Sequence, residues 1–228
     1  MKQLLLTYCI LCFGFHIQAQ KFSVSIGSDI PYNHYIGTTL ETKNIDFSYQ
    51  TGILVPPYSG AVLGIIEKLG ADEIYTDLLD VAYDFGWMNS LGAYYKFGAQ
   101  KKWYVGADFR LDYLTAADSS NELIATLTGI DLSILDGFIT DGIAVKLRLK
   151  MFGIGARVGR SFSISKNNKH HIKTEFSIGK YLSTKSTLTL NGEDFESLNE
   201  ALDRALWDDV FKKYGYIGGF GIAYSYTF

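Results

Sequence analysis

The sequence predicts an all-β fold: an eight-stranded antiparallel up-and-down transmembrane β-barrel with short helices in its long extracellular loops. Three observations carry that prediction. Segments of about ten residues alternate large apolar with small or polar side chains, the period of two that belongs to strands with unlike faces. The chain opens on an export leader, and no later stretch reaches the roughly 20 apolar residues that a membrane-spanning helix needs. Connections between the alternating segments are short and long by turns, as in a barrel whose two ends face different compartments.

The leader is "MKQLLLTYCILCFGFHIQAQ". Lys2 precedes an apolar run from Leu4 to Phe15, and small Ala19 stands before Gln20. These are the basic, apolar and cleavage parts of a secretory signal peptide. Residues 1–19 are expected to form that peptide, leaving one domain, the barrel, over 20–228. Cys9 and Cys12 both lie in the leader, and neither follows the small residues of a lipidation site. The mature chain then has no thiol for a disulfide, a thiolate metal site or a nucleophile. With 21 Lys and Arg against 24 Asp and Glu, no basic footprint for nucleic acid is present. The 16 Tyr, 15 Phe and 23 Gly against 3 Pro suit a barrel with aromatic girdles.

The strands follow in order. "KFSVSIGSDI" (21–30) sets Phe22, Val24 and Ile26 on one face. "HYIGTTLET" (34–42) follows a Pro-Tyr-Asn bend, and "IDFSYQTGILV" (45–55) alternates from Ile45 to Ile53. "WMNSLGAYYKF" (87–97) aligns Trp87, Leu91, Ala93, Tyr95 and Phe97. In "WYVGADFRLDYL" (103–114), Trp103, Val105, Phe109, Leu111 and Tyr113 oppose Tyr104, Asp108, Arg110 and Asp112. "IAVKLRLKMFGIGARVGRSFSI" (143–164) changes phase at Met151-Phe152, which calls for a bulge there or a strand projecting beyond the membrane. "IKTEFSIGKYL" (172–182) and "YIGGFGIAYSYTF" (216–228) complete eight.

Three connections are short and basic: Lys43-Asn44, Gly98–Lys102 and Ser165–His171. Three are long, at about 56–86, 115–142 and 183–213, and the bend at Pro31 falls on their side. Each long segment predicts a short amphipathic helix. The first has Asp72 as cap with Ile74, Leu78, Val81 and Phe85 at helical spacing. The second and third have capping boxes, Ser119 with Glu122 and Ser197 with Glu200.

Alternation alone leaves the direction of the aromatic faces open, since a soluble lipocalin-like barrel would turn them inward. Charge helps, although in a soluble barrel the same residues would face water; the signal peptide, the loop asymmetry and the terminal Phe228 tip the balance toward lipid outside. Asp46, Lys96, Asp108, Arg110, Asp112, Arg157, Lys173 and Glu175 all lie on the polar faces, and a Lys or Arg facing mid-bilayer lipid costs about 2–4 kcal/mol. They are expected inside, as a packed salt-bridge network in a lumen just wide enough for side chains. The same charges also admit a narrow pore for small solutes.

The "AYSYTF" ending resembles the terminal assembly signal of bacterial outer-membrane barrels, with alternate aromatics Tyr224 and Tyr226 and a final Phe228. The whole chain looks like the small eight-stranded outer-membrane proteins of the OmpA/OmpX-like class, departing from it in the helix-bearing loops. The resemblance implies outer-membrane lipid as surroundings and the barrel assembly machinery as a partner. Both termini would be periplasmic and the long loops extracellular.

Candidate chemistry is sparse. His34, at the predicted outer rim with Ser28 and Asp29 close in sequence, is the one candidate catalytic residue, as for a rim-located lipid hydrolase. No nucleophile-elbow motif accompanies it, and a non-enzymatic role is the primary reading. His170 and His171 share a basic turn with Lys169 and no acidic or thiol ligand, so no metal or cofactor is expected. The long loops are acidic, with Glu67, Asp72, Glu73, Asp77, Asp80 and Asp84 in one and Glu193, Asp194, Glu196, Glu200, Asp203, Asp208 and Asp209 in another. They suit an extracellular protein or divalent cations as partners. The function expected is structural or partner-binding, through those loops.

Overall fold

The computed structural model describes residues 21–54, 64, 67–68, 85–98, 100–117, 145–190, 193–194, 196–205, 208 and 211–228. The signal peptide and the first two expected loop helices lie outside these residues, except that Phe85, expected to end the first helix, begins a strand with its ring on the outer face.

Nine strands form one sheet: β1 (Lys21–Ile30), β2 (Asn33–Glu41), β3 (Ile45–Leu54), β4 (Phe85–Phe97), β5 (Trp103–Ala117), β6 (Val145–Ser163), β7 (His170–Leu190), β8 (Glu193–Asp194) and β9 (Tyr216–Thr227). Each of β1 to β7 pairs antiparallel with the next, β7 pairs with β9, and β9 returns to β1. The two-residue β8 only extends the top of β7. Eight strands therefore close an all-antiparallel barrel with no free edge.

The barrel has a turn end and a loop end. At the turn end the chain reverses at 42–44, 98–102 and 164–169. These reversals are tied locally. Ser165 Oγ accepts hydrogen bonds from the backbone N–H of Lys169 (3.2 Å) and His170 (3.1 Å). Both strand termini meet there too, where the Phe228 N–H donates to the Phe22 carbonyl at 2.9 Å and the two rings lie 5.9 Å apart. The loop end carries the tight bend at Pro31-Tyr32 and the three long connections.

Side-chain direction follows the strand period. The aromatic faces point outward, with Ile26, Leu91 and Phe109 each about three-fifths exposed. A soluble barrel would bury those residues, so the outer wall is built for hydrocarbon. Trp87, Trp103 and Tyr95 are likewise exposed on it.

The phase change in β6 has a different origin from a bulge in that strand. Burial alternates without interruption from Arg148 to Val158. What changes is the chemistry: below Phe152 the outer side is apolar, while above it Arg148 and Lys150 face out and Leu149 and Met151 are buried. A strand projecting past the lipid does this, because water replaces hydrocarbon outside. The bulge belongs to β7, where Phe152 pairs with Ser183 and Gly153 with Tyr181, leaving Leu182 over. β7 also runs to Leu190, beyond its expected end at Leu182, because the Thr-rich "STKSTLTL" favours a strand.

Of the last connection, α1 (Glu196–Ala205) is described, with acidic Glu196 in its first turn and Arg204 in its last. Both suit the helix dipole. Asp203, counted above with the acidic loop residues, turns back to the barrel. Its carboxylate accepts from both the backbone N–H and the hydroxyl of Ser186 on β7. That contact lays the helix against the strand.

Candidate functional site in the lumen

The inward faces form three zones stacked along the barrel. All eight charges singled out by sequence line the lumen, divided between the first two.

The first zone is a vestibule of about 590 Å³ entered from the turn end. Asp46, Lys96 and Lys173 lie in its wall, and Lys101, Lys102 and His171 around its entrance. Lys96 pairs with Asp46 at 2.7 Å. The inner wall carries Tyr94 and Tyr104, edge to face with centroids 6.0 Å apart. Tyr104 lies flat against its wall only because Gly159 stands opposite: a β-carbon there would come within 2.5 Å of the ring.

The second zone is a belt of buried charge. Arg157 is 2 % exposed and reaches two carboxylates, Glu175 through Nη1 and Asp29 through Nη2 at 3.2 Å. Arg110 approaches Asp29 from the other side at 3.8 Å and lies over the Tyr32 ring, 5.6 Å from its centroid. The Tyr104 hydroxyl donates to Glu175 at 2.5 Å, and the Tyr181 hydroxyl donates to Asp112. Asp108 is buried beside them, its carboxylate against Gly155. Arg157 with Glu175 and Asp29 meets the rule that buried charge persists when paired and hydrogen-bonded, while among the described residues Asp108 Oδ2, Asp112 Oδ1 and Arg157 Nε have no hydrogen-bond partner.

The third zone, toward the loop end, is apolar. Leu54, Met88, Leu114, Leu149 and Met151 are each at most 3 % exposed. They are neighbours by register: Leu114 pairs with Leu149 and Gly86, Gly86 with Leu54, and Asp112 with Met88 and Met151. Gly86 makes the layer possible, since a β-carbon there would meet Leu114 at 2.5 Å and Leu54 at 2.6 Å. Above it Phe211, from the last connection, is buried edge-on against Tyr181 at 5.8 Å. The Tyr181 N–H donates to the Gly215 carbonyl at 2.9 Å, one rung beyond the last β7–β9 pair, Lys180 with Tyr216.

Sequence reasoning misses two parts of this arrangement. It groups Asp29 with Ser28 and His34, yet Asp29 lies on the lumen face and is 2 % exposed. The signal is present in the sequence: Phe22, Val24 and Ile26 face outward, so parity sends Asp29 inward. Tyr104 shares the polar face with Asp108 already in the sequence, but the lumen tyrosines Tyr35 and Tyr94 stay hidden as long as aromatics are taken as an outward signal, although a tyrosine hydroxyl serves a buried carboxylate well.

His34 sits on the outer wall. Its Nδ1 is 2.7 Å from Ser28 Oγ, the first two members of a nucleophile arrangement. The carboxylate expected to complete it, Asp29, is on the opposite face and held by arginines. His170 and His171 stay in their turn, His170 Nδ1 2.6 Å from the Tyr224 hydroxyl and His171 Nε2 2.8 Å from the Asn168 carbonyl. Tyr224, Tyr226 and Phe228 lie along β9 and just past its end, beside these turns. Of the acidic loop residues, Asp72, Glu73, Asp77, Asp80, Asp84 and Asp209 lie outside the described residues.

No known family profile matches the sequence, and no curated protein does. Solved structures do. A major outer membrane protein from Thermus thermophilus is 13% identical, with a TM-score of 0.52, 92% of this chain and 100% of that one being covered. Acinetobacter baumannii CarO2 is 8% identical at a TM-score of 0.40, over 92% and 100% of the two chains. The N-terminal β-barrel domain of Pseudomonas aeruginosa OprF is 10% identical at 0.38, over 92% and 96%. At these identities the likeness concerns the fold, and the Thermus protein is the one of the three with a TM-score above 0.5. The fold is that of the small eight-stranded outer-membrane barrels, and the outward apolar wall fits it. The chain has the fold of a membrane-spanning β-barrel.

Proposed function

We propose that this protein is a closed barrel with a structural or partner-binding role, working through its long acidic connections. Its termini and short turns face the periplasm, and the long connections face outward from the cell. The basic turns, with Lys43, Lys101, Lys102, Lys166 and Lys169, suit the anionic phospholipids of the inner leaflet. Tyr224, Tyr226 and Phe228 are the segment offered to the assembly machinery, and residues 1–19 the peptide removed on export.

The observation that carries this reading is the double closure of the lumen. A solute entering the vestibule meets the Arg157 belt and then a dry layer of leucine and methionine. Crossing that layer strips an ion or sugar of its water, and among the described residues the polar group set among those side chains is the single buried amide of Asn33, register partner of Leu54 and donor to Met88 Sδ. This favours the closed reading over a narrow pore. The displaced Asp29 likewise leaves the rim-hydrolase reading without the carboxylate it called upon.

The test joins two measurements on one preparation. In an outer-membrane fraction the unboiled protein should migrate differently from the boiled one, and in planar bilayers it should give no conductance above the protein-free trace. Steady single-channel currents from heat-modifiable protein would replace this reading with the pore. Protease added to whole cells should cut within 55–84 or 118–144 and spare the turn end.

A further inference from the structure

Just above its aromatic rim, the outer wall of β6 and β7 becomes basic. Arg148 and Lys150 on β6 and Lys185 on β7 are all exposed on the outer face. Lys150 and Lys185 are register partners. Like charges directly opposite one another destabilise an antiparallel pair. Arg148 follows on the same face, and Lys180 lies lower, paired with Ile154. Among the described residues none of these four cations is in a salt bridge.

Their height is set by the rings they stand on. Lys150 Nζ lies 5.6 Å from the centroid of Tyr113, and Lys180 Nζ 4.7 Å from that of Tyr216. Below come Phe152, Ile154 and Ile178, large, apolar and outward-facing. Aromatic rings with cations on their far side mark headgroup depth, the apolar wall beneath marks acyl-chain depth.

We infer that Arg148, Lys150 and Lys185 form a seat for the phosphate of a phosphorylated glycolipid in the leaflet around the loop end. A phosphomonoester carries close to two charges and three acceptor oxygens. It neutralises the Lys150–Lys185 opposition by lying between the two ammonium groups, while the Arg148 fork takes two oxygens. The acyl chains then run down the wall over Phe152 and Ile154. The inference rests on the orientation proposed above only in naming which leaflet supplies the lipid. Free inorganic phosphate shares the headgroup chemistry without the chains, and an acidic connection of this same chain is the competing occupant.

The experiment uses the full barrel refolded in detergent micelles, its folding checked by heat-modifiable mobility, and native mass spectrometry to count bound lipid. The probes are lipid A, its dephosphorylated form, phosphatidylglycerol and inorganic phosphate. Each cation at a membrane surface contributes about fivefold in affinity, so R148Q/K150Q/K185Q should weaken lipid A binding on the order of 100-fold. Lys150→Arg with Lys185→Arg should retain it, and added salt should weaken it in the native protein. Without lipid, the neutralised variant should be at least as stable as the native barrel, because the like-charge opposition is gone. Unchanged lipid A affinity in the folded triple variant overturns the inference. So does equal binding of the dephosphorylated form, equal loss for phosphatidylglycerol, or equally tight inorganic phosphate. Residues 118–144 carry Asp118, Glu122, Asp131, Asp136 and Asp141 and no Lys or Arg. Binding that emerges only after they are removed would show that an acidic connection occupies the seat, and would overturn it too. Micelles impose no sidedness, so failure here leaves the orientation, read by protease on whole cells, standing.

Discussion

The two halves of the lumen are built from the same strands and have opposite chemistry. In β5, Asp108, Arg110 and Asp112 point inward in succession, and the next inward residue is Leu114. In β6, Arg157 points inward lower down and Met151 and Leu149 higher up. The outer wall inverts over the same span, from Phe152 and Ile154 to Lys150 and Arg148. An embedded barrel segment puts its apolar residues toward lipid and must fill its interior with polar groups that satisfy one another. Above the lipid, the same ring of strands has water outside and closes around an oily core like any soluble domain. On β6 the boundary between the halves therefore coincides with the change on the outer wall, while on β4 the outward Phe85 and Trp87 stay apolar at the height of the Gly86–Leu114 pair.

Substitutions on either side of that boundary sharpen or break the contrast. The largest effect is expected for Arg157→Met, which leaves Asp29 and Glu175 buried without their shared cation, at a cost of about 3–5 kcal/mol. Urea unfolding of the reconstituted barrel, followed by the fluorescence of outward-facing Trp87 and Trp103, measures it. Adding Asp29→Asn and Glu175→Gln should recover most of the loss. No recovery would mean that Arg157 acts by packing rather than charge. Leu114→Ala, in the dry half, should cost about 2–5 kcal/mol on the same assay, because Leu54 and Leu149 keep their places around the cavity. If it costs nothing, the apolar layer is wet and the closure argument fails with it. Gly159→Ala forces the Tyr104 ring off its wall and away from Glu175, a change of about 1–3 kcal/mol. The smallest effect belongs to Lys96→Gln. Its pair with Asp46 borders the open vestibule, where water takes over the lost contact, and the change should stay within about 1 kcal/mol.

How much of this is legible in the sequence follows from what alternation does and does not encode. Period two places the eight strands to within a few residues, and it also determines which residues share a face with Asp108 and Arg110. It carries no information on which face meets lipid. Charge supplies that once the signal peptide and the loop asymmetry point to a membrane, because Arg157 and Glu175 have no tolerable position in hydrocarbon. The end of β7 escapes the pattern since Leu182, left over at a bulge, breaks the alternation that continues beyond it. Partnerships are invisible throughout. Arg157 meets Asp29 across 128 positions, and nothing local in either segment announces it. The apolar zone of the lumen is partly readable: the phase change at Met151 already says that the strand leaves one solvent for another.

The Arg157 contact has a consequence for how the ring closes. If β1 slid by two residues against β9, every outward side chain would still face lipid and almost every backbone hydrogen bond would be remade. Lipid and ladder alone would accept the error. The arginine would not, because Asp29 would move a full pleat from Arg157 and be left as a buried carboxylate without that cation. The belt thus works as a proofreading key, cut so that the last seam of the cylinder locks in one alignment.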